Sequence, residues 1–88
     1  MILDVRKRKI FNDDLIEYKL SKNEVRLLLI LCDNEFHSYE DIMRWCFIDN
    51  VNSLTILIRR LKNKINNLSI TLFSGKGCIL KDILEITY

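Results

Sequence analysis

The sequence predicts an α+β fold, and three observations carry that prediction. Short strand-like runs occupy the first twenty residues, three helix signatures follow, and a glycine-bracketed hairpin pattern stands near the end. With 88 residues, 49% of them apolar and 30% charged, the chain has the composition of one compact domain spanning residues 1–88. It has no proline and only two glycines, which excludes collagen-like, linker-like and low-complexity readings.

Taken in order, Ile2–Val5, Arg8–Phe11 and Leu15–Leu20 read as strands separated by charged or Asn-Asp turns. In the third run Ile16, Tyr18 and Leu20 alternate with Glu17 and Lys19, a period of two that implies one buried face. Ser21-Lys22-Asn23-Glu24 is a capping box, in which hydroxyl and carboxylate each accept from the other residue's amide. Behind it Val25, Leu28, Leu29 and Cys32 recur at helical spacing, and Leu27, Ile30 and Leu31 widen the stripe enough for a central helix. Asp33-Asn34-Glu35 ends it. Ser38 is the expected N-cap of a short second helix, with Glu40 and Asp41 where the helix dipole favours acids. Ile42, Trp45 and Cys46 form its expected inner side, which places Trp45 in the core.

A polar connection, Asp49 to Asn52, leads into a third helix expected from about residue 52 to 66. Its inner stripe is Leu54, Ile58, Leu61 and Ile65, with Leu57 at the edge. Asn52, Ile56, Arg59, Arg60 and Asn63 fall on the opposite side, flanked by Lys62 and Lys64. Residues 69–81 read as a hairpin, because Gly75-Lys76-Gly77 supplies a turn whose glycines accept positive φ. Ile83–Tyr88 reads equally as an edge strand or the start of a linker.

Charge is unevenly distributed. Residues 1–11 carry four bases against Asp4, for a net +3; residues 12–49 carry four bases and nine acids, for −5. Residues 50–81 carry Arg59, Arg60, Lys62, Lys64, Lys76 and Lys81 with no acid, for +6, and the last seven residues add −2. Such asymmetry suggests a face built for a polyanion, against the simpler reading of a solvated helix face.

Several function classes are disfavoured. The three cysteines, Cys32, Cys46 and Cys78, lie too far apart for a zinc or disulfide pattern and read as small hydrophobes. The single histidine, His37, reads as a loop residue. There is no nucleophile–base pair, phosphate-cradling glycine loop or metal cluster, so neither an enzyme nor a cofactor is expected. The longest apolar run, Leu27–Cys32, is six residues, too short for a membrane span. The start, MILDVRKRKIF, is a poor signal peptide.

Strands, helix, short helix, basic helix and hairpin form the order of a winged helix-turn-helix, in which the second helix braces the third and the hairpin reaches toward phosphates or the minor groove. In that order the motifs resemble the OmpR/PhoB-type winged-helix domain of bacterial transcription regulators. Leu20 to Glu24 with Leu27-Leu28-Leu29 is similar to its L-T-x-x-E-x-x-L-L opening, and Ser38 to Ile42 with Trp45 to its second helix. Leu54 to Ile65 is similar to its recognition helix and Ile70 to Leu80 to its wing, so the resemblance spans roughly residues 2–81. Asn52-Ser53-Leu54-Thr55 is similar to the ToxR-like branch, whose members often carry the domain ahead of a membrane span. Departures are Cys78 for an aromatic, Ser74 for an arginine, Asn63 for a base, and Leu57 for a polar residue.

Pattern and resemblance together imply sequence-specific binding of double-stranded promoter DNA and transcription regulation. The recognition helix, about 52–66, enters the major groove, and the wing, about 70–81, meets the backbone or minor groove. Arg59 and Arg60 are the leading contacts, through guanine or phosphate; the alternative is ion pairing with Glu40 or Asp41. Ile56 reads as a thymine-methyl contact or as packing, and Asn52, Ser53, Thr55 and Asn63 as base or phosphate contacts or as caps. Lys62 and Lys64 are expected on phosphates, as is Lys76 at the wing tip. Arg6–Lys9 reads as an exposed turn rather than a second phosphate patch. The resemblance further implies RNA polymerase contact by the 47–51 loop, a homodimer on DNA, and a cytoplasmic setting, whether free-standing or as the cytoplasmic part of a membrane-anchored regulator. The competing reading is a winged-helix protein-interaction module that binds no DNA.

Overall fold

The computed structural model describes residues 1–88. The chain opens with three short antiparallel strands, β1 (Ile2–Asp4), β2 (Lys9–Phe11) and β3 (Glu17–Lys19), joined by tight turns. Leu3 faces Ile10, and Ile10 faces Tyr18, so the period-two pattern sends Leu3 and Ile10 fully into the core. Ile16 departs from its expected inward place: it precedes β3 and is exposed, leaving Leu20 to close that side. Asn12 organises the second turn, its Oδ1 accepting from the Asp14 and Ile16 amides at 3.0 and 2.9 Å. Arg6–Lys9 is, as expected, mostly an exposed turn, with Lys9 paired to Glu17 at 3.1 Å.

Helix α1 (Lys22–Leu31) begins with the predicted capping box: Ser21 Oγ accepts from the Glu24 amide at 3.2 Å and Glu24 Oε1 from the Ser21 amide at 2.7 Å. Such a cap contributes about 0.5–2 kcal/mol. Leu27, Leu28 and Leu31 are fully buried, which makes α1 the central helix. After it comes β4 (His37–Ser38), a two-residue strand where the sequence suggested only a loop. His37 Nε2 sits 2.9 Å from the Asp33 carboxylate, which draws the turn after α1 together.

Ser38 caps α2 (Tyr39–Cys46), accepting from the Asp41 amide at 3.1 Å. Ile42 and Cys46 face inward, but Trp45 does not. It is 50% exposed and lies along the surface, its indole N–H donating to the Arg26 carbonyl at 2.8 Å. The core assignment of Trp45 is therefore corrected. Only eight residues long, α2 ends on Phe47 in the left-handed region (φ 56°); its buried stripe is Tyr39, Ile42 and Cys46, and Trp45 falls to one side of it.

Helix α3 (Val51–Lys64) starts one residue earlier than expected, because Asn50 rather than Asn52 is the cap: its Oδ1 accepts from the Ser53 amide at 2.8 Å. The predicted stripe Leu54, Ile58, Leu61 and Ile65 is fully buried. Strands β5 (Ile70–Phe73) and β6 (Gly77–Leu80) form the predicted hairpin, with Gly75 at φ +70° in its turn. In this second sheet, ordered β4-β6-β5, His37 pairs with Cys78 and Ser38 with Gly77. A Cβ on Gly77 would lie 2.1 Å from the His37 carbonyl oxygen, so this close pairing admits only glycine. The tail becomes β7 (Glu85–Thr87), which runs parallel to β1 in a sheet ordered β3-β2-β1-β7. One cluster of 18 buried apolar residues joins both sheets and all three helices. No helix is long and apolar enough to cross a membrane.

Candidate nucleic-acid interface

The inner stripe of α3 fixes which way its other side chains point. With Leu54, Ile58 and Leu61 anchored in the core, Asn52, Ser53, Ile56, Arg59, Arg60, Lys62 and Asn63 are exposed. The hairpin divides this outer surface. A cleft of about 480 Å³ separates α3 from the hairpin, lined on the helix by Val51, Thr55, Arg59, Lys62 and Asn63. Leu72, Ser74 and Gly75 of the hairpin and Tyr39 of α2 complete it. Asn52, Ile56 and Arg60, spaced at i, i+4 and i+8, stand outside the cleft as a ridge along the helix.

The cations on this surface are unpaired. The acidic side chains of α2 are engaged elsewhere: Arg44 lies 3.7 Å from Glu40 and 3.6 Å from Asp41. The ion-pair alternative for Arg59 and Arg60 is thus not what the structure contains, and Lys62 and Lys76 also lack acidic partners. Lys76 is exposed at the hairpin tip; its carbonyl accepts from the Tyr39 amide at 3.0 Å and its amide donates to Phe73, which fixes the tip against α2. An edge-to-face contact of Phe36 with Phe73, ring centres 5.7 Å apart, braces the same hairpin.

Lys64 departs from its expected role. Its Nζ lies 2.7 Å from Glu24 Oε1 and 3.1 Å from the Lys19 carbonyl, so it ties the end of α3 to the capping box of α1. Thr55 is half-buried in the cleft wall, its hydroxyl donating to the Asn52 carbonyl at 3.0 Å. Ser53 is exposed, and its amide is taken up by the Asn50 cap.

Val51, Tyr39 and Leu72 were not singled out by sequence, and Gly75 only as a turn residue, yet all four shape the cleft. Tyr39 is the most informative of them: burial, and less strongly Cys78, hold its phenol above the ordinary range, so it stays a neutral hydroxyl at physiological pH. Cys78 is fully buried and its thiol is pushed up to about 11 by desolvation, which removes it as a reactive wing residue.

A second groove, about 500 Å³, lies between α1 and α2. Leu29, Ile30, Trp45 and Phe47 supply its apolar surface, and the Arg26 guanidinium stands 4.9 Å above the Phe47 ring.

Three helices, the four-stranded sheet packed with them and a hairpin beside the third helix define the class of this fold as a winged helix-turn-helix. The fold is similar to the crystal structure of the DNA-binding domain of CssR from Bacillus subtilis, with a TM-score of 0.72 and 23% sequence identity over 83% of this chain and 90% of that one. No protein-family model matches the sequence, and no curated protein does.

Proposed function

We propose that residues 1–88 form an OmpR/PhoB-type DNA-binding domain that recognises double-stranded DNA by sequence and regulates transcription. The observation that carries this reading is the division of the outer surface of α3 into a cationic cleft and a separate exposed ridge. An α-helix, about 10–12 Å across, fits a major groove about 12 Å wide. With the Asn52–Ile56–Arg60 ridge in that groove, the cleft receives the flanking phosphates, where Arg59 and Lys62 supply charge and Asn63 and the Tyr39 hydroxyl neutral donors. Lys76 extends the cationic track along the wing. Arg60 is the base-reading arginine and Arg59 the phosphate-gripping one, a finer assignment than sequence allowed.

The second reading, an interaction module, has one observation in its favour. The apolar groove between α1 and α2 shares no lining residue with the cationic cleft. Both surfaces suit one regulator, in which Phe47, 78% exposed at the head of the 47–51 loop, meets RNA polymerase while α3 holds DNA. Pairing of two such domains on adjacent half-sites, in the cytoplasm, belongs to the same proposal.

The test is selection of bound duplexes from a randomised library, followed by fluorescence anisotropy on the selected site. Arg60→Ala is expected to cost about 1–3 kcal/mol and relax preference at one position, whereas Lys62→Ala weakens all sequences alike. Equal effects of both substitutions on every sequence would defeat the division between ridge and cleft. Failure to enrich any duplex would favour the interaction module.

A further inference from the structure

Ile56 is the one apolar side chain on the ridge, 46% exposed between Asn52 one turn before it and Arg60 one turn after. Its neighbours on the helix explain why packing does not claim it. Leu54 and Ile58, two residues to either side, are fully buried, which turns Ile56 to the opposite surface, and the half-buried Leu57 takes the remaining space at the core edge. Nor does it line the cleft, whose apolar surface comes from Val51, Leu72 and Tyr39. The chain thus exposes a branched aliphatic group at the centre of a polar, acid-free surface, where burial in the protein gains nothing. The one apolar feature on the floor of the major groove is the C5-methyl group of thymine.

We infer that Ile56 reads a thymine methyl at the centre of the recognition site. This inference rests on the DNA-binding reading above. Four residues of helix span about 6 Å, and base pairs are spaced about 3.4 Å along the duplex, so one helical turn corresponds to about two base steps. Arg60 therefore reads a guanine about two base pairs from that thymine, and Asn52 meets the opposite flank, where an adenine offers its paired donor and acceptor.

Deoxyuridine scanning of the library-selected duplex isolates the methyl group, because uracil keeps every hydrogen-bonding atom of thymine. One central thymine-to-uracil replacement is expected to weaken binding of the unaltered protein about four-fold, the contribution of one buried carbon. Ile56→Ala is expected to bind the thymine and uracil duplexes equally, with its melting temperature unchanged because the side chain is exposed. If the unaltered protein binds the selected duplex with steep salt dependence and no replacement in either strand changes its affinity, the thymine contact is overturned while DNA binding stands. If no duplex is bound at low salt, the DNA-binding reading fails and takes the inference with it. The uracil scan needs no protein variant, so a folding defect in Ile56→Ala cannot rescue or spoil the result.

Discussion

Replacing Lys64 with alanine separates a structural cation from the DNA-facing ones. The ammonium group bonds Glu24 Oε1 at 2.7 Å, and that same oxygen accepts from the Ser21 amide to close the capping box. Glu24 is 4% exposed, so its carboxylate has little water to fall back on when the lysine is removed. A charge-assisted hydrogen bond of this kind contributes about 1.5–3 kcal/mol. The lysine end is more than one-third open to solvent, and screening lowers the expected loss to about 1–2 kcal/mol. In a domain of this size each kcal/mol corresponds to about 4–8 °C, so thermal denaturation followed by circular dichroism should fall by roughly 5–15 °C. Glu24→Gln should remove much of the same stability, and the double variant should lose less than the two single losses combined. DNA anisotropy should show no change in salt slope for Lys64→Ala, while Lys62→Ala lowers it by about 1. An unchanged melting temperature together with a reduced salt slope would show that Lys64 serves DNA rather than the fold.

The cysteines offer a check on burial. Cys46 and Cys78 are both pushed up to about 11 by desolvation, so at about pH 8 neither should react with a thiol reagent until the chain unfolds. The half-buried Cys32 should be the first to label, and labelling of Cys78 at the same rate would contradict its burial. Asp33 makes stability depend on acid. The Glu35 amide first, and then the His37 ring, hold its carboxyl below the usual range. Its contribution is therefore present above about pH 4 and is lost as pH falls through the lowered value. The stability difference between the unaltered chain and Asp33→Asn should shrink as urea melts are repeated toward about pH 3; a constant difference would contradict the assignment.

Where structure followed local chemistry, sequence was enough to read it. The two serine caps, the inner stripe of α3 and the glycine-bracketed turn depend on residues within four positions of each other, and each appears as expected. What escaped was set by distant partners. Lys64 finds Glu24 from 40 positions away, and nothing in the run Lys62-Asn63-Lys64 distinguishes the paired lysine from the free one. Strand β4 exists because Gly77 lets the chain at His37 approach, and two residues carry no periodicity of their own. Trp45 stands three residues after the buried Ile42, the spacing of a core stripe, yet the stripe continues instead through Tyr39 and Cys46, which lie on the other side of Ile42 and leave the indole at the surface. The cleft was legible only in half: the helix supplied its cations, whereas Tyr39 and Leu72 joined them through tertiary packing.

The cationic cleft is tested most directly by the salt dependence of duplex binding. Arg59, Arg60, Lys62 and Lys76 are the unpaired cations of α3 and the wing tip, so three or four phosphates should be neutralised. The logarithm of affinity should then fall with the logarithm of salt at a slope of about −2.7 to −3.6, or about 40- to 150-fold between about 50 and 200 mM. A slope shallower than about −1, or no binding at the lower salt, would contradict a DNA-gripping role for this surface.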